Sequence, residues 1–316
     1  MGLRVAITTS SFGGGAPDQR QRLEKLGFEV ADNPYGRKLT EDESVALLDG
    51  AVGVIAGTSP LSVRVLDAAQ SLQVISRVGV GVDSVDLEAV RARGISLHLT
   101  LDAPTDGVAE LTIGLILTRL RGIATADRRV REGRWKAYEG SLLQGKTVGL
   151  VGLGRIGQSV AHLLQPFGVR LLAADPVPPP PEVAGKLSVE LVDLDRLLQE
   201  SHIVSLHVPL VDTTRHLIGA DQLARMRRGA VLVNASRGGL VDESALLEAL
   251  DAGSLGGAAL DTFKDEPYDG PLTARADVLL TCHMGSAAVE TRARMEAEAV
   301  DNLVAGLQDK GLLPEQ

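Results

Sequence analysis

The sequence predicts an α/β protein made of two doubly wound parallel-sheet units, and three observations predict it. Residues 1–99 alternate short apolar runs with amphipathic segments of helical spacing. At 148–151 an apolar run passes straight into Gly152-Leu-Gly154-Arg155-Ile156-Gly157 and then into a helical segment. Beyond it, apolar runs and helical segments alternate again as far as residue 307. Strands separated by helices are parallel, and crossover helices cover both faces of a parallel sheet.

In the first unit, residues 3–8 read as a strand and 19–26 as a helix ended by Gly27. Strands follow at 28–31, 52–55 and 72–76, with helices at 41–48, 62–69 and 87–93, the last stopped by Gly94. Ligands of such sheets sit beyond the carboxyl ends of the strands, which singles out the loops 33–38, 56–60 and 77–83. The turn-rich residues 102–107 lead into an apolar helix, 108–118, suited to a hinge. Residues 119–144 are charged and hold the only tryptophan, Trp135. They read equally as a solvated arm or as a subunit contact anchored by Trp135. In the second unit the glycine motif is followed by a helix at 158–167, a strand at 169–174 and a polyproline-like connector at 176–181. Strands are expected at 203–207, 230–236, 257–261 and 278–281, and helices at 242–250 and 287–307.

The totals bound the function. A chain of 316 residues suffices for two domains with real cores, and 44% hydrophobic with 23% charged residues is an ordinary globular composition. Forty-one acids against 32 bases give a net charge of −9, which argues against nucleic acid or an anionic membrane as partner. No apolar run approaches the ~20 residues of a membrane span, and the N-terminus enters a strand pattern without a signal-peptide core, so a cytoplasmic location is expected. The single cysteine, Cys282, excludes an intrachain disulfide and a cysteine-based metal cage. The histidines show no metal-ligand pairing, and no metal is expected.

The glycine motif has a physical reading. Gly152 permits a tight turn, Gly154 lets backbone approach a pyrophosphate, and Gly157 lets the helix pack on the strand. The amides of the first helical turn then face the phosphates. The following strand ends in Asp175, at about the ~20-residue spacing of an acid that binds the adenine-side ribose hydroxyls. Asp175 would repel an extra 2′-phosphate, and Pro176 follows it with no arginine nearby, so NAD is expected and NADP disfavoured.

Three later strand ends carry reactive groups: Arg237, Glu266 with Asp261 before it, and His283. Oxidising a 2-hydroxy acid removes the hydroxyl proton while C2 gives up hydride. A histidine is the natural base, and a carboxylate beside it fixes its tautomer and favours the imidazolium. A planar, permanently charged guanidinium holds the substrate carboxylate. The expected catalytic residues are Arg237, Glu266 and His283.

These residues together resemble the D-isomer-specific 2-hydroxy acid dehydrogenase family, in its phosphoglycerate-dehydrogenase-like branch. The resemblance rests on Arg77-Val-Gly-Val-Gly-Val-Asp83, Val108-Ala-Glu-Leu-Thr112, the Gly152 to Gly157 motif, Asn234-Ala-Ser-Arg-Gly-Gly239, Leu260-Asp-Thr-Phe263 with Glu266-Pro267, and His283-Met-Gly-Ser286. It implies a Rossmann domain of residues 102–286 inserted into a flavodoxin-like substrate domain of residues 1–101 and 287–316. It implies cofactor contacts from Arg155, Ile156, Asp175, Val208, Thr214, Ala235, Asp261, His283 and Gly285, with Asp261 near the nicotinamide carboxamide. Backbone at Val78 and Gly79 would bind the substrate carboxylate, and a homodimer would pair through the nucleotide domain.

Departures from the family pattern fall mainly near the substrate. Cys282 stands where proline is usual, and Leu101-Asp-Ala-Pro104 replaces the usual hinge. Ala56 takes the place of a phosphate-binding arginine of the longer phosphoglycerate enzymes, while Arg77 keeps the other. Arg37 and Lys38, with Arg77, read either as a solvated loop or as the reader of a second anionic group, phospho or phosphono, on the substrate. Relatives acting on formate or phosphite, and an NADH-sensing corepressor-like scaffold, are the competing functions.

Overall fold

The computed structural model describes residues 2–10, 12–14, 16 and 18–314. The chain divides into one unit of residues 1–104 and 286–316 and another of residues 105–285.

The first unit holds β1 (Arg4–Ile7), β2 (Glu29–Asp32), β3 (Gly53–Ala56), β4 (Val74–Arg77) and β5 (Ser96–Leu99), all parallel, in the order β2-β1-β3-β4-β5. This is the flavodoxin-like order, with its reversal between β1 and β3. Strands β3 and β4 are buried along their whole length; β3 accordingly reads as a continuous apolar run, while β4 ends in the buried polar residues Ser76 and Arg77. The long helix Val289–Asp309 packs on β3, β4 and β5. Close approach is secured by two glycines: a Cβ on Gly53 would lie 2.6 Å from Leu303, and one on Gly306 would lie 2.8 Å from Val74.

The second unit holds β6 (Thr147–Val151), β7 (Arg170–Ala174), β8 (Val189–Leu191), β9 (Ile203–Leu206), β10 (Val231–Asn234), β11 (Gly257–Leu260) and β12 (Val278–Leu280). All pairings are parallel, in the order β12-β11-β10-β9-β6-β7-β8. That is the Rossmann order with a seventh strand, and it reverses between β6 and β9. One apolar cluster fills each face of the sheet, around Leu172, Leu206 and Leu232 on one side and Leu150, Val160 and Val233 on the other.

Several elements lie outside the sequence expectation. Strand β5 escapes it because none of its four residues is fully buried, so it shows no apolar run. Strand β8 is a three-residue edge. The helix Ile123–Arg131 buries no residue and so carries no core-facing signal inside the charged stretch. The connector ends sooner than its prolines suggest, since Pro181 begins the helix Pro181–Lys186, where its missing N–H costs nothing. Among the described residues no helix is long and apolar enough to cross a membrane.

Candidate active site

The glycine loop lies at the reversal of the second sheet, between the carboxyl ends of β6 and β9. Gly152 has φ 100°, and a Cβ there would fall 2.7 Å from the His207 carbonyl oxygen. A Cβ on Gly157 would fall 2.3 Å from the Gly152 carbonyl oxygen. Both positions exclude a side chain for internal reasons. Gly154 differs: its φ is −73° and, among the described residues, no atom beyond its chain neighbours lies within 4 Å of the Cβ position. A side chain there would enter open space rather than the fold. Gly154 is also the N-cap of the helix Arg155–Leu164, and no side chain caps it, so the amide end of that helix is left for an anion.

Asp175 follows β7, and its Oδ2 accepts a hydrogen bond from the Leu153 amide at 2.7 Å while Oδ1 accepts from Val177 at 2.8 Å. The acid is thus fixed to the tip of the glycine loop, and each carboxylate oxygen keeps a second lone pair for a hydroxyl donor. An uncapped helix end, an open Cβ position and an anchored ribose-side acid together fit a dinucleotide. Val208 and Ala235 are buried at neighbouring strand ends, tied by Ser236 Oγ donating to the Val208 carbonyl at 2.7 Å. Arg155 is exposed and Ile156 half-buried in the first helical turn. Thr214 spends its hydroxyl on its own turn, donating to Pro209 O at 2.7 Å and accepting from the Val211 amide at 2.8 Å.

Adjacent strands β10, β11 and β12 carry the three reactive groups past their carboxyl ends. His283 Nδ1 lies 2.8 Å from Glu266 Oε2, and the other Glu266 oxygen accepts the Phe263 amide at 3.0 Å. Burial pushes the Glu266 carboxyl up, but the hydrogen bonds from His283 and from the Phe263 amide, with the charges of His283 and Arg237, outweigh it and hold the group below its ordinary value. Arg237 is extended and donates Nη1 to Ser236 O at 2.7 Å. The next residue, Gly238, lies against the Glu266 loop so closely that a Cβ would stand 1.9 Å from the Phe263 carbonyl carbon.

His283 has φ 53°, a left-handed conformation uncommon for a non-glycine residue. Asp261 holds that turn. It is fully buried, with Oδ1 accepting from Thr281 Oγ1 at 2.6 Å and the Met284 amide at 2.9 Å, and Oδ2 from the Gly285 amide at 2.9 Å. Its carbonyl accepts from His283 N at 2.7 Å. The resemblance sets Asp261 and Gly285 against the cofactor; in the structure they are joined to each other in shaping the histidine turn. Asn234 does the same for arginine, its Nδ2 donating to Arg237 O at 2.8 Å and its Oδ1 accepting from Ser236 N at 3.1 Å. A polar side chain at the end of an otherwise apolar strand is the sequence signal for Asn234. His207, half-buried beside Gly152 and Gly157, carries no such signal. Its Nε2 is buried and has no hydrogen-bond partner among the described residues, and burial pushes the imidazole down to about 4.

In the first unit the expected substrate residues are differently disposed. The Val78 amide donates to Ala56 O at 2.9 Å and the Gly79 amide to Thr100 Oγ1 at 2.8 Å. Both amides are therefore occupied within the fold. Arg77 is 5% exposed and donates to Gly81 O at 2.6 Å, to Ala56 O at 3.4 Å and to Gly57 O. Arg37 forks onto Glu43 at 2.9 and 2.7 Å, and its bonds, with those from Thr40, hold Glu43 down at about 2. Among the described residues there is no group of three or more His, Cys, Asp or Glu that could hold a metal ion.

Comparison with known proteins agrees with this geometry. Residues 113–285 match the family model described as D-isomer specific 2-hydroxyacid dehydrogenase, NAD binding domain. The D-3-phosphoglycerate dehydrogenase of Methanocaldococcus jannaschii is 41% identical over 85% of the chain, which spans about half (52%) of that protein. The glyoxylate reductase of Korarchaeum cryptofilum is 40% identical, with 83% of this chain and 81% of that one covered. A crystal structure of a Thermus thermophilus protein superposes with a TM-score of 0.87 at 39% identity, covering 97% of each chain. The chain belongs to the D-isomer-specific 2-hydroxy acid dehydrogenases, in the branch with the phosphoglycerate dehydrogenases and glyoxylate reductases, and its second sheet is the NAD-binding domain.

Proposed function

We propose that the protein is an NAD-dependent reductase of a compact 2-oxo acid, working reversibly as a D-2-hydroxy acid dehydrogenase. The observation that carries this reading is the His283–Glu266 pair at 2.8 Å, with Arg237 on the neighbouring strand end. Bound NADH supplies hydride to C2. In that direction His283 Nε2 gives its proton to the carbonyl oxygen as the alkoxide develops, and the ring is left neutral. Glu266 accepts from Nδ1, which fixes the orientation of the ring and turns Nε2 to the substrate. Arg237 binds the substrate carboxylate and polarises the carbonyl. Asp175 selects NAD over NADP by charge and by accepting ribose hydroxyls.

For the first unit we assign the carboxylate donors to Val80 and Gly81, two residues beyond the sequence expectation. Their amides form no hydrogen bond among the described residues, whereas those of Val78 and Gly79 do. Arg77 is engaged by the carbonyls of Ala56, Gly57 and Gly81 and Arg37 by Glu43, which favours a substrate without a second anionic group, such as glyoxylate. A homodimer is supported by the helix Ile123–Arg131, which buries nothing, and by Trp135, 91% exposed. A cytoplasmic setting fits the NAD requirement.

The test is NADH consumption against a panel of 2-oxo acids including phospho- and phosphono-acids. Turnover of the compact acids, slowed by about 10²–10⁴-fold in His283→Ala, is expected; NADH binding without turnover of any would favour a sensing scaffold instead. Arg37→Ala should leave KM for all acids alike, and a rise confined to the phospho- or phosphono-acids would restore the second anionic group.

A further inference from the structure

Glu266 stands in a segment that is neither helix nor strand, between the end of β11 and the short 3-10 turn Pro271–Ala274. Its carboxylate must nevertheless be held to within a few tenths of an ångström to serve His283. Two aromatic rings close this segment. Phe263 and Tyr268 stack with centroids 4.3 Å apart and planes 20° from parallel, one on either side of Glu266 in sequence. Phe263 is buried, and its amide is the donor to Glu266 Oε1. Tyr268 is fastened in turn, its hydroxyl accepting the Leu272 amide at 3.3 Å, with Leu272 fully buried. Gly270 leaves room for that ring, since a Cβ there would lie 2.4 Å from the Tyr268 hydroxyl oxygen and 2.5 Å from its ring.

We propose that Tyr268 is a positioning residue for Glu266: its ring, stacked on Phe263, clasps residues 264–267 and holds the carboxylate on His283 Nδ1. The inference rests on the reading of Glu266 and His283 as the proton-transfer pair. Stacking of this kind carries an energy equivalent to roughly tenfold in the population of the clasped loop. Loss of the stack therefore lowers turnover through Glu266 and leaves unchanged the cofactor binding at the glycine loop and Asp175, which follow β6 and β7.

The experiment is a double-mutant cycle of Tyr268→Leu with Glu266→Gln, read as kcat and its pH profile for 2-oxo acid reduction by NADH. Tyr268→Phe keeps the ring and should stay within about twofold of the parent. Tyr268→Leu should lower kcat by about tenfold, with KM for NADH unchanged and the alkaline limb of the profile moved the same way as in Glu266→Gln. In the Glu266→Gln background the same change should cost less than about twofold. A full tenfold loss in both backgrounds, or none in either, overturns the proposal. Gly270→Ala, which pushes on the Tyr268 ring without removing it, should reproduce the coupled loss should Tyr268→Leu fail to fold, and an uncoupled loss there overturns the proposal equally. Full activity of Glu266→Gln itself would overturn the underlying pair instead.

Discussion

Replacing Gly238 with alanine tests whether the arginine and glutamate loops must touch. The added methyl would meet the Phe263 carbonyl carbon at 1.9 Å, its oxygen at 2.2 Å and the Lys264 amide nitrogen at 2.4 Å. All three are backbone atoms, so none can swing aside as a side-chain end would. Restoring ordinary contact parts the two loops by roughly 1 Å or more, and a misplacement of that size costs about 10²-fold in turnover, or ~2.7 kcal/mol. Overpacking costs a further ~1–3 kcal/mol of stability. The assay is kcat/KM for glyoxylate with NADH, alongside NADH binding by fluorescence and a thermal melt. The expected result is a loss of about 10² in kcat/KM with NADH affinity kept. A variant within about threefold of the parent, with an unchanged melting temperature, would refute the reasoning.

Gly154→Ala should do the reverse, because among the described residues nothing beyond its chain neighbours lies within 4 Å of its Cβ position. Its melting temperature should hold while NADH affinity falls by about tenfold or more; unchanged affinity would remove Gly154 from the phosphate site. The ring of His207 is enclosed and its imidazole held down at about 4, below its unfolded value of ~6.5. The unfolded chain then binds more protons between those values, so the stabilisation is complete above ~6.5 and declines as pH falls, by about 2 kcal/mol between pH 7 and pH 5. Urea unfolding of His207→Gln should lack that part of the slope, and identical slopes in the two proteins would contradict it. Glu266, depressed in the fold, contributes stability above its unfolded value of ~4.3 that is lost as pH falls through its lower folded value. Glu266→Gln should accordingly show a shallower acid limb in the same measurement, and an unchanged limb would mean that the His283 contact does not hold the charge.

How much is legible in the sequence depends on whether a residue's role is set by its neighbours in the chain. The glycine motif is local, so the turn, the helix behind it and Asp175 follow from spacing alone. Strands β3, β6 and β10 are buried on both faces and announce themselves as apolar runs. Strand β5 and the helix Ile123–Arg131 are half or wholly exposed and carry no such signal. Arg237, Glu266 and His283 can be placed past strand ends, but their meeting depends on strand order, which puts β10, β11 and β12 side by side. The commitments of Val78, Gly79 and Arg77 are not legible, because their partners Ala56, Thr100 and Gly57 come from other loops. Asp261 is visible as an acid after a strand, whereas its hold on the left-handed His283 turn needs coordinates.

The proposed reaction turns on the proton that His283 delivers. The decisive measurement is the pH dependence of kcat/KM for 2-oxo acid reduction by NADH, in the parent and in His283→Ala, with NADH binding measured in both. Reduction by the parent should fall with rising pH, because the step consumes a proton that His283 delivers, and His283→Ala should bind NADH normally, be slower by about 10²–10⁴-fold and lose that pH dependence. A His283→Ala enzyme that keeps the parent's profile would place the acid elsewhere.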